Sequence, residues 1–334
     1  MIQHPAEALT PDQGAALDLL RQGERFVLSG HMRPDGDCIG AQAALADLLR
    51  QLGKEVWIIN PDPIEPRFDY LTGPNDYRVH TGADLPRHDV SVLLDCSILE
   101  RCGDLGEALR SSSSRKLVVD HHIHEGEAWW DAAFVDVTAS ATGLLCWRIA
   151  QALGLELGTV GAAGVFTSIV TDTGWFKYSN TDAETLRVAG DLLASGVDSS
   201  ELFASIYQRQ RASHPVETSA ILGSTEYHAE GRLAVIVSPR SEVGAAAAPD
   251  SDDALDIVRA VGQVEVVLYL RELDGGAVKL SARSKTDYNV NQLARRFGGG
   301  GHRKASGATI SGGLEEVRGR LVEAALEGFE EGAG

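Results

Sequence analysis

The chain has 334 residues, of which 43% are hydrophobic and 23% are charged, as expected for a globular protein with one large domain or two ordinary ones. Its formal net charge of −18 repels long nucleic acid and anionic membranes, which excludes a general affinity for either. No apolar stretch approaches the roughly 20 residues needed to cross a bilayer, and the amino-terminal MIQHPAEALTPDQ shows no secretory signal, so we expect a cytoplasmic protein.

The first half of the chain alternates between apolar strands and helices. A capping box opens the first helix, since Thr10 can cap it, Pro11 suits its first position and Gln13 can return a hydrogen bond. The segments that follow are strands at 25–29, 55–59, 90–95 and 116–120 and helices at 39–52, 105–110 and 141–153. Such alternation is typical of a parallel sheet with helices on both faces.

The second half continues with helices and changes character after Pro215. Helices are predicted at 159–171, 182–195, 201–211, 254–261, 290–297 and 315–329, and strands at 224–229, 233–239, 264–273, 279–283 and 305–311. We therefore predict an α/β protein of two domains. Its parts are a mainly parallel sheet flanked by helices in residues 1–195, a connector in 196–215 and a smaller α/β domain in 216–334.

Four segments place acidic or histidine side chains directly after an apolar run. They are His31 with Asp35 and Asp37, then Asp95, then Asp120 with His121 and His122, and finally Asp172. Ligands bind beyond the carboxyl ends of parallel strands, so three strands and one helix would bring these side chains to the same edge. Each segment alone has an ordinary explanation, because residues 34–37 also fit a turn and Asp95 or Asp172 could cap an element. The four together, at comparable positions, favour a metal site.

Carboxylate and imidazole ligands without thiolates favour a moderately hard octahedral ion, with Mn²⁺ preferred and Mg²⁺ or Co²⁺ as alternatives. So many acids in one place would repel one another, and two cations would balance them better than one. Two ions roughly 3.5–4 Å apart can share a carboxylate, activate water and clamp a phosphoryl group. The pattern therefore indicates hydrolysis of a phosphoester.

A second site is indicated by four consecutive glycines at residues 298–301, followed by His302, Arg303 and Lys304. Between a helix and a strand, such a run lets backbone N–H groups approach an anion closely. Residues 279–304 carry seven Lys or Arg and one Asp, a local charge of +6 in an acidic chain. This favours a phosphate or nucleotide as ligand, against the alternatives of a flexible linker or a solvated basic helix face.

These motifs resemble those of a known family. HMRPDGDCIG, VLLDCS, VVDHH and IVTDTG are similar to the four motifs of the DHH phosphoesterases, and SARSKTDYNVNQLARRFGGGGHRKASG resembles the associated DHHA1 domain. The resemblance covers nearly the whole chain in the right order. The two-domain length is similar to that of the NrnA-type oligoribonucleases, also called nanoRNases or pAp phosphatases, and is too short for the RecJ exonucleases.

The resemblance implies a role for each candidate residue and an active site in the cleft between the two domains. One metal ion would be held by His31, Asp35 and Asp95, and the other by Asp37, Asp95, His121 and Asp172, with Asp95 bridging. His122 would touch the scissile phosphate or its leaving group, and Asp120 would orient the histidines. The terminal nucleotide would be gripped by Arg283, Ser284, Gly300, Gly301 and His302. Cys38 and Cys96 flank acids of the metal site, and we interpret both as packing residues.

The resemblance further implies hydrolysis of very short RNA to mononucleotides, with removal of the 3′-phosphate of pAp as a second activity. Cleavage of cyclic di-AMP or of its linear product pApA would use the same site, and a nucleotide-binding regulator without catalysis is an alternative from another class. The implied partners are short RNA and small nucleotides, with neither long nucleic acid nor a membrane, and similar proteins suggest a homodimer. Trp175, Phe176 and Tyr178 could stack a base or pack in a core, and the sequence leaves both open.

Overall fold

A computed structural model of the chain describes residues 9–73, 76–124, 126–238 and 251–331. The chain divides into two compact units, Met1–Arg209 and Gln210–Gly334, and the division falls inside the segment for which a connector is predicted. Residue 239, where the sequence predicts the end of a strand, lies outside the described residues. So do residues 1–8, the start of the amino-terminal segment in which no secretory signal is found. In the described part of the chain, no helix is both long and apolar enough to cross a membrane.

The first unit contains a six-stranded sheet in which every described pair of neighbours is parallel. Its strands are β1 Arg25–Ser29, β2 Glu55–Asn60, β3 Tyr77–Val79, β4 Val90–Leu94, β5 Arg115–Asp120 and β6 Ala132–Val135. Their order across the sheet is β3-β2-β1-β4-β5-β6. The helices of this unit are α1 Pro11–Gln22, α2 Gly36–Gln51, α3 Asp104–Ser111, α4 Thr142–Leu153, α5 Thr159–Asp172, α6 Ala183–Ala194 and α7 Ser199–Tyr207, with short 3₁₀ helices at Pro66–Leu71 and Leu99–Cys102. The predicted α/β fold with a parallel sheet is confirmed.

The central strands are apolar throughout because the sheet is covered on both faces. All five residues of β4 are buried, as are the last four of β1. A parallel sheet between helices requires such continuous apolar runs in place of alternation. The predicted capping box is also present, since Gln13 N donates to Thr10 Oγ1 and Thr10 N donates to the Gln13 side chain.

The close packing of α2, α4 and α5 depends on residues without a side chain. An added Cβ at Gly40 of α2 would lie 2.3 Å from the carbonyl oxygen of Gly164 in α5. One at Gly143 of α4 would lie 2.2 Å from Ser168 Oγ in α5. Both distances are far below van der Waals contact, so the three helices can approach this closely only with glycine at these positions.

The second unit contains a mixed six-stranded sheet covered by helices. Its strands are β7 Glu226–His228, β8 Leu233–Ser238, β9 Val266–Leu273, β10 Ala277–Ser284, β11 Gly300–His302 and β12 Ala305–Ser311, in the order β11-β12-β10-β9-β8-β7. β8 and β9 are parallel, and the other described pairs are antiparallel. The helices are α8 His214–Leu222, α9 Ser251–Arg259, α10 Val290–Arg296 and α11 Leu314–Glu331, and a 3₁₀ helix spans Ala229–Gly231. Buried residues of α10 and α11 join one apolar cluster with the sheet, and those of α9 join another.

The sequence analysis misses β3, β6, β11 and α8. Strands of three or four residues show too little alternation to be recognised. β11 lies in the glycine run, which the sequence predicts as a loop, and α8 begins where the sequence predicts the end of the connector. The helix predicted at 201–211 ends earlier, at Tyr207.

Replacing Gly40 by alanine is expected to destabilise the first unit by about 1–3 kcal/mol, because the new Cβ would overlap the Gly164 carbonyl oxygen. Gly14→Ala in α1 is the matched control, since an added Cβ there meets nothing within 4 Å and alanine is favoured in helices by roughly 1 kcal/mol. Urea unfolding of both variants measures the two effects. A midpoint for Gly40→Ala at or above that of the wild type would contradict the packing argument.

Candidate metal centre

The side chains of the four predicted segments converge in the first unit. Three groups of potential ligand atoms, each within 4.8 Å of one another, occur among the described residues: His31 with Cys38 and Asp95, Asp95 with His121 and His122, and Asp37 with His121 and Asp172. Asp95 and His121 each belong to two groups, so the three groups form one continuous cluster. The cluster lies where β1, β4 and β5 end, at the edge that the sequence predicts.

Asp95 lies at the centre of this cluster, directly after β4, and only 2% of the residue is exposed. Its Oδ2 is 3.3 Å from His31 Nε2, and its Oδ1 is 3.7 Å from His121 Nε2. The backbone φ of Asp95 is +58°, a conformation that is costly for a non-glycine residue and persists only where the surroundings enforce it. Two histidines near different oxygens of one carboxylate form an arrangement that is compatible with a ligand shared by two ions.

Both histidines direct Nε2 towards the carboxylates and Nδ1 towards a main-chain carbonyl oxygen. His31 Nδ1 is 2.9 Å from the Met32 carbonyl oxygen, and His121 Nδ1 is 3.0 Å from that of Ala139. Since a carbonyl oxygen only accepts, each Nδ1 carries the proton, and in the neutral ring Nε2 holds a lone pair. His121 Nε2 is buried without a hydrogen-bond partner, 3.4 Å from Asp37 Oδ2. In the neutral ring a lone pair would face carboxylate oxygens, an arrangement that a divalent metal ion between them would stabilise, so these residues fit such an ion.

The N terminus of α4 holds Asp37 in place. Thr142 N donates to Asp37 Oδ2 at 2.9 Å, and Gly143 N donates to Asp37 Oδ1 at 3.2 Å. The helix has no side-chain cap from its own N-cap residue, so the carboxylate from α2 satisfies two of its terminal N–H groups. The helix dipole favours a negative charge at this end, which makes the position of Asp37 part of the fold.

The crowding of buried acids is unfavourable without a cation. Burial and then the charge of Asp37 raise the pKa of Asp172 to about 7. Burial and the charges of Asp37 and Asp35 raise the pKa of Asp95 well above its usual range. A bound cation would reverse both effects, because it stabilises the ionised carboxylates. The electrostatics of the cluster therefore favour binding of a cation.

Asp120 orients His122, the second of the adjacent histidines. Asp120 Oδ1 accepts from the backbone N of His122 at 3.0 Å and lies 2.8 Å from His122 Nδ1. Burial lowers the pKa of His122, but the hydrogen bond to Asp120 and the charge of that carboxylate outweigh burial and raise it. The ring packs edge to face on that of His121, with 4.5 Å between centroids. His122 is thus held beside the cluster in an environment that favours its protonated form.

Asp35 and Cys38 lie at the margin of the cluster. Asp35 Oδ1 caps α2 by accepting from Asp37 N and Cys38 N, both at 3.1 Å, which explains why α2 begins three residues before its predicted start. The same oxygen is 3.9 Å from His31 Nε2. Burial, with the charge of Asp95, raises the pKa of the Cys38 thiol well above its usual range. The thiol is fully buried, which is compatible with the packing interpretation.

Three acids of the cluster accept hydrogen bonds from residues that the sequence analysis does not identify. The donor–acceptor pairs are Thr142 Oγ1 to Asp95 Oδ1 at 3.2 Å, Ser168 Oγ to Asp37 Oδ1 at 2.5 Å and Asn180 Nδ2 to Asp172 Oδ2 at 3.2 Å. No sequence signal marks these donors, because tertiary packing decides how α4 and α5 are rotated and where the turn that carries Asn180 lies.

In the second unit, the predicted phosphate-binding segment forms a hairpin. Gly300, Gly301 and His302 make up β11, an exposed edge strand paired with β12. Gly301 has a φ of +137°, and an added Cβ would lie 2.6 Å from the Ala305 carbonyl oxygen. The geometry of the hairpin thus requires glycine at this position, independently of any ligand.

Part of the basic segment is committed to contacts within the second unit. These contacts are Lys285 Nζ to the Val261 carbonyl at 2.6 Å, Arg303 Nη2 to the Asp287 carbonyl at 2.8 Å and Arg296 Nη2 to Glu327 Oε2 at 2.7 Å. Ser284 is buried, and its hydroxyl donates to the Thr286 carbonyl at 3.2 Å. The sequence therefore overstates the positive charge that this segment directs to a ligand.

The aromatic residues after Asp172 have partners within the first unit. Trp175 packs edge to face on Phe203 and Tyr207, with 5.0 and 5.8 Å between centroids. Phe176 packs in the same way on Phe166 at 6.3 Å. These contacts favour the packing interpretation of Trp175 and Phe176 over base stacking.

Sequence and structure comparisons agree with these observations. The sequence model of the DHH family, N-terminal domain, matches residues 25–195, and that of the DHHA1 domain matches residues 230–331. The chain is 32% identical to the bifunctional oligoribonuclease and PAP phosphatase NrnA of Thermus thermophilus, with 90% of this chain and 89% of that protein covered. It is 28% identical to the protein of the same name from Bacillus subtilis, with 86% and 90% covered. A crystal structure of an exopolyphosphatase-related protein from Bacteroides fragilis matches with a TM-score of 0.88 and 25% identity, over 97% of this chain and 99% of that one.

Asp95→Asn is expected to abolish the thermal stabilisation that Mn²⁺ gives the wild-type protein, which should reach about 2.7 kcal/mol at a concentration 100 times the dissociation constant. In the presence of a chelator, the variant should melt at or above the wild-type temperature, because one of several mutually repelling buried acids is gone. Calorimetry with and without metal measures both effects. Asp191→Asn, at an exposed position of α6, is the matched control and should behave as the wild type in both conditions. Stabilisation of Asp95→Asn by Mn²⁺ to the wild-type extent would contradict the assignment.

Proposed function

The chain belongs to the DHH phosphoesterase family, and we propose that it hydrolyses short oligoribonucleotides to mononucleotides and removes the 3′-phosphate of pAp to give AMP. The observation that carries this proposal is the pair of histidine Nε2 atoms facing different oxygens of Asp95. That geometry suits two divalent ions, which together can hold both sides of an in-line displacement at phosphorus. The names of the relatives from Thermus thermophilus and Bacillus subtilis support this choice of substrates.

The proposed ligands divide into two sets that share Asp95. One ion would be held by His31, Asp35 and Asp95, and the other by Asp37, Asp95, His121 and Asp172. Mn²⁺ is our choice for both positions, because oxygen-rich sites with imidazole and without thiolate suit it. When bound, such ions acidify water and neutralise charge on the phosphoryl group.

His122 would contact the scissile phosphate or the leaving oxygen. Asp120 engages both the main-chain N–H and Nδ1 of His122, which fixes the plane of the ring and favours its protonated form. A protonated histidine can donate to the leaving oxygen, whose negative charge grows as the P–O bond breaks. Asp120 would therefore act through His122 without touching the substrate.

The second unit would bind the end of the nucleotide. The exposed strand β11, with Gly300, Gly301 and the side chain of His302, offers donors for a terminal phosphate. Arg283 on β10 would add a guanidinium suited to phosphate oxygens. The Ser284 hydroxyl could contribute only by leaving its bond to the Thr286 carbonyl. The acidity of the rest of the chain disfavours long nucleic acid as a substrate.

Cyclic di-AMP and its linear product pApA require the same chemistry, so they form the alternative within the enzyme class. A nucleotide-binding regulator would use the second unit without turnover. We further propose that the protein acts in the cytoplasm. We also propose that it assembles as a homodimer, and gel filtration with light scattering would test the oligomeric state.

Purified protein with Mn²⁺ is expected to release mononucleotides from dinucleotide and trinucleotide RNA and phosphate from pAp, and a chelator should stop both reactions. Asp95→Ala should lower turnover by more than about 1,000-fold, because both proposed ions lose a ligand. Asp191→Ala is the control for loss of a carboxylate. Chromatography of the products measures each rate under identical conditions.

The same assay separates the alternatives. Faster turnover of cyclic di-AMP or pApA than of short RNA would favour the cyclic dinucleotide reading. Binding without turnover of any substrate would favour the regulator.

His302→Ala is expected to raise KM for dinucleotide RNA by roughly 10- to 150-fold while changing kcat less, because a hydrogen bond to a charged group contributes about 1.5–3 kcal/mol. Arg87→Ala removes an exposed cation from the first unit and should leave KM unchanged. Steady-state kinetics on both variants provide the comparison. A fall in kcat at constant KM for His302→Ala would assign this residue to the chemical step and contradict the binding role.

A further inference from the structure

Ser168 connects a proposed metal ligand to two other helices. It lies on α5 and is fully buried. Its hydroxyl donates to Asp37 Oδ1 at 2.5 Å and accepts from Gly143 N at 2.7 Å. Both hydrogen bonds of the hydroxyl therefore lead to other helices, α2 and α4, and neither is made within α5.

The direction of this hydroxyl differs from that of Thr171 and Thr173, which follow it on the same chain segment. Thr171 Oγ1 donates to the Thr167 carbonyl at 2.8 Å, and Thr173 Oγ1 donates to the Ile169 carbonyl at 2.6 Å. Such bonds to the preceding turn are the usual way in which a helical hydroxyl is satisfied. Ser168 instead donates across the helix interface to the carboxylate of Asp37. Stabilisation of α5 alone would not require this bond.

The packing at this interface is shaped around the hydroxyl. An added Cβ at Gly143 would lie 2.2 Å from Ser168 Oγ, and one at Gly40 would lie 3.1 Å from Ser168 Cβ. Glycine on both α4 and α2 therefore leaves the room in which Ser168 can reach Asp37.

As a consequence, the two oxygens of Asp37 have different contacts. Oδ1 accepts from Ser168 and Gly143, so its capacity is used within the protein. Oδ2 accepts from Thr142 N and lies 3.4 Å from His121 Nε2. We propose that Ser168 is a positioning residue that presents Asp37 to the metal ion through Oδ2 alone. This inference rests on the metal centre of the proposed function, but its test does not depend on hydrolysis.

Calorimetric titration of chelator-treated, full-length protein with Mn²⁺ tests the proposal. Ser168→Ala should weaken one of two binding events by about 10- to 100-fold and leave the other within a few-fold, because only the ion beside Asp37 and His121 loses its support. At saturating Mn²⁺, kcat should return towards the wild-type value. Electron paramagnetic resonance at two equivalents of Mn²⁺ should show less of the spin-coupled pair than the wild type does.

Thr167→Val is the matched control, because Thr167 is also fully buried on α5 and its hydroxyl contacts Tyr70 at 2.7 Å, away from the cluster. It should lower the melting temperature without changing either Mn²⁺ affinity. Unchanged affinities in Ser168→Ala, or an equal loss in Thr167→Val, would overturn the proposal. If Ser168→Ala does not fold, Ser168→Cys tests the same position with a weaker donor, and an affinity equal to that of the wild type would count against the proposal.

Wild-type protein that binds Mn²⁺ but cleaves no nucleotide would refute the proposed function and leave the role of Ser168 standing. Loss of turnover in Ser168→Ala with both Mn²⁺ affinities unchanged would refute the positioning role of Ser168 and leave the proposed function standing.

Discussion

The commitment of two imidazole protons to main-chain carbonyl oxygens determines the character of the first unit. Because His31 and His121 each direct Nδ1 to a carbonyl oxygen, the neutral rings would point their Nε2 lone pairs into a group of buried carboxylates. No rearrangement of protons within these neutral rings removes the repulsion, since reversing the tautomer would turn a lone pair towards the carbonyl instead. The folded chain therefore contains an arrangement of charge that a divalent cation would complete.

The fold maintains this arrangement by distributing the ligands over elements that stabilise one another. Asp95 is placed by β4 with an enforced positive φ, Asp37 by the N terminus of α4, and Asp35 by its role as the cap of α2. Moving any of these carboxylates would therefore also leave N–H groups at a helix N terminus without an acceptor or distort the end of a strand. The glycine contacts of α2 and α4 with α5 bring these helix ends together. Stability and site geometry are consequently coupled in the same few contacts.

The parts of this site that the sequence predicts are those governed by local pattern. Apolar runs ending in Asp95 or in Asp120 with its two histidines identify strand ends, and parallel topology then brings them to one edge. Ser168 and Thr142 escape such reasoning, because nothing in the α5 or α4 sequence states which face of the helix meets Asp37. The glycine run has a cause that the sequence analysis does not identify, since the hairpin requires Gly301 independently of any phosphate contact. Short strands such as β3 and β6 are missed because their pairing energy comes from neighbours distant in sequence.

The charge of the centre also affects the binding of any phosphoester ligand. Asp37, Asp95 and Asp172 would repel a phosphate at this edge of the sheet as long as their ionised forms are uncompensated. The raised pKa values of Asp95 and Asp172 reflect burial and the neighbouring carboxylates, although His122 lies close by. Cations bound at this edge would remove the repulsion, so affinity for a phosphoester ligand would be gained together with the metal. On this argument, the acidic composition of the chain and its proposed anionic substrates are compatible, because selectivity for phosphate is created locally by the ions that the carboxylates attract.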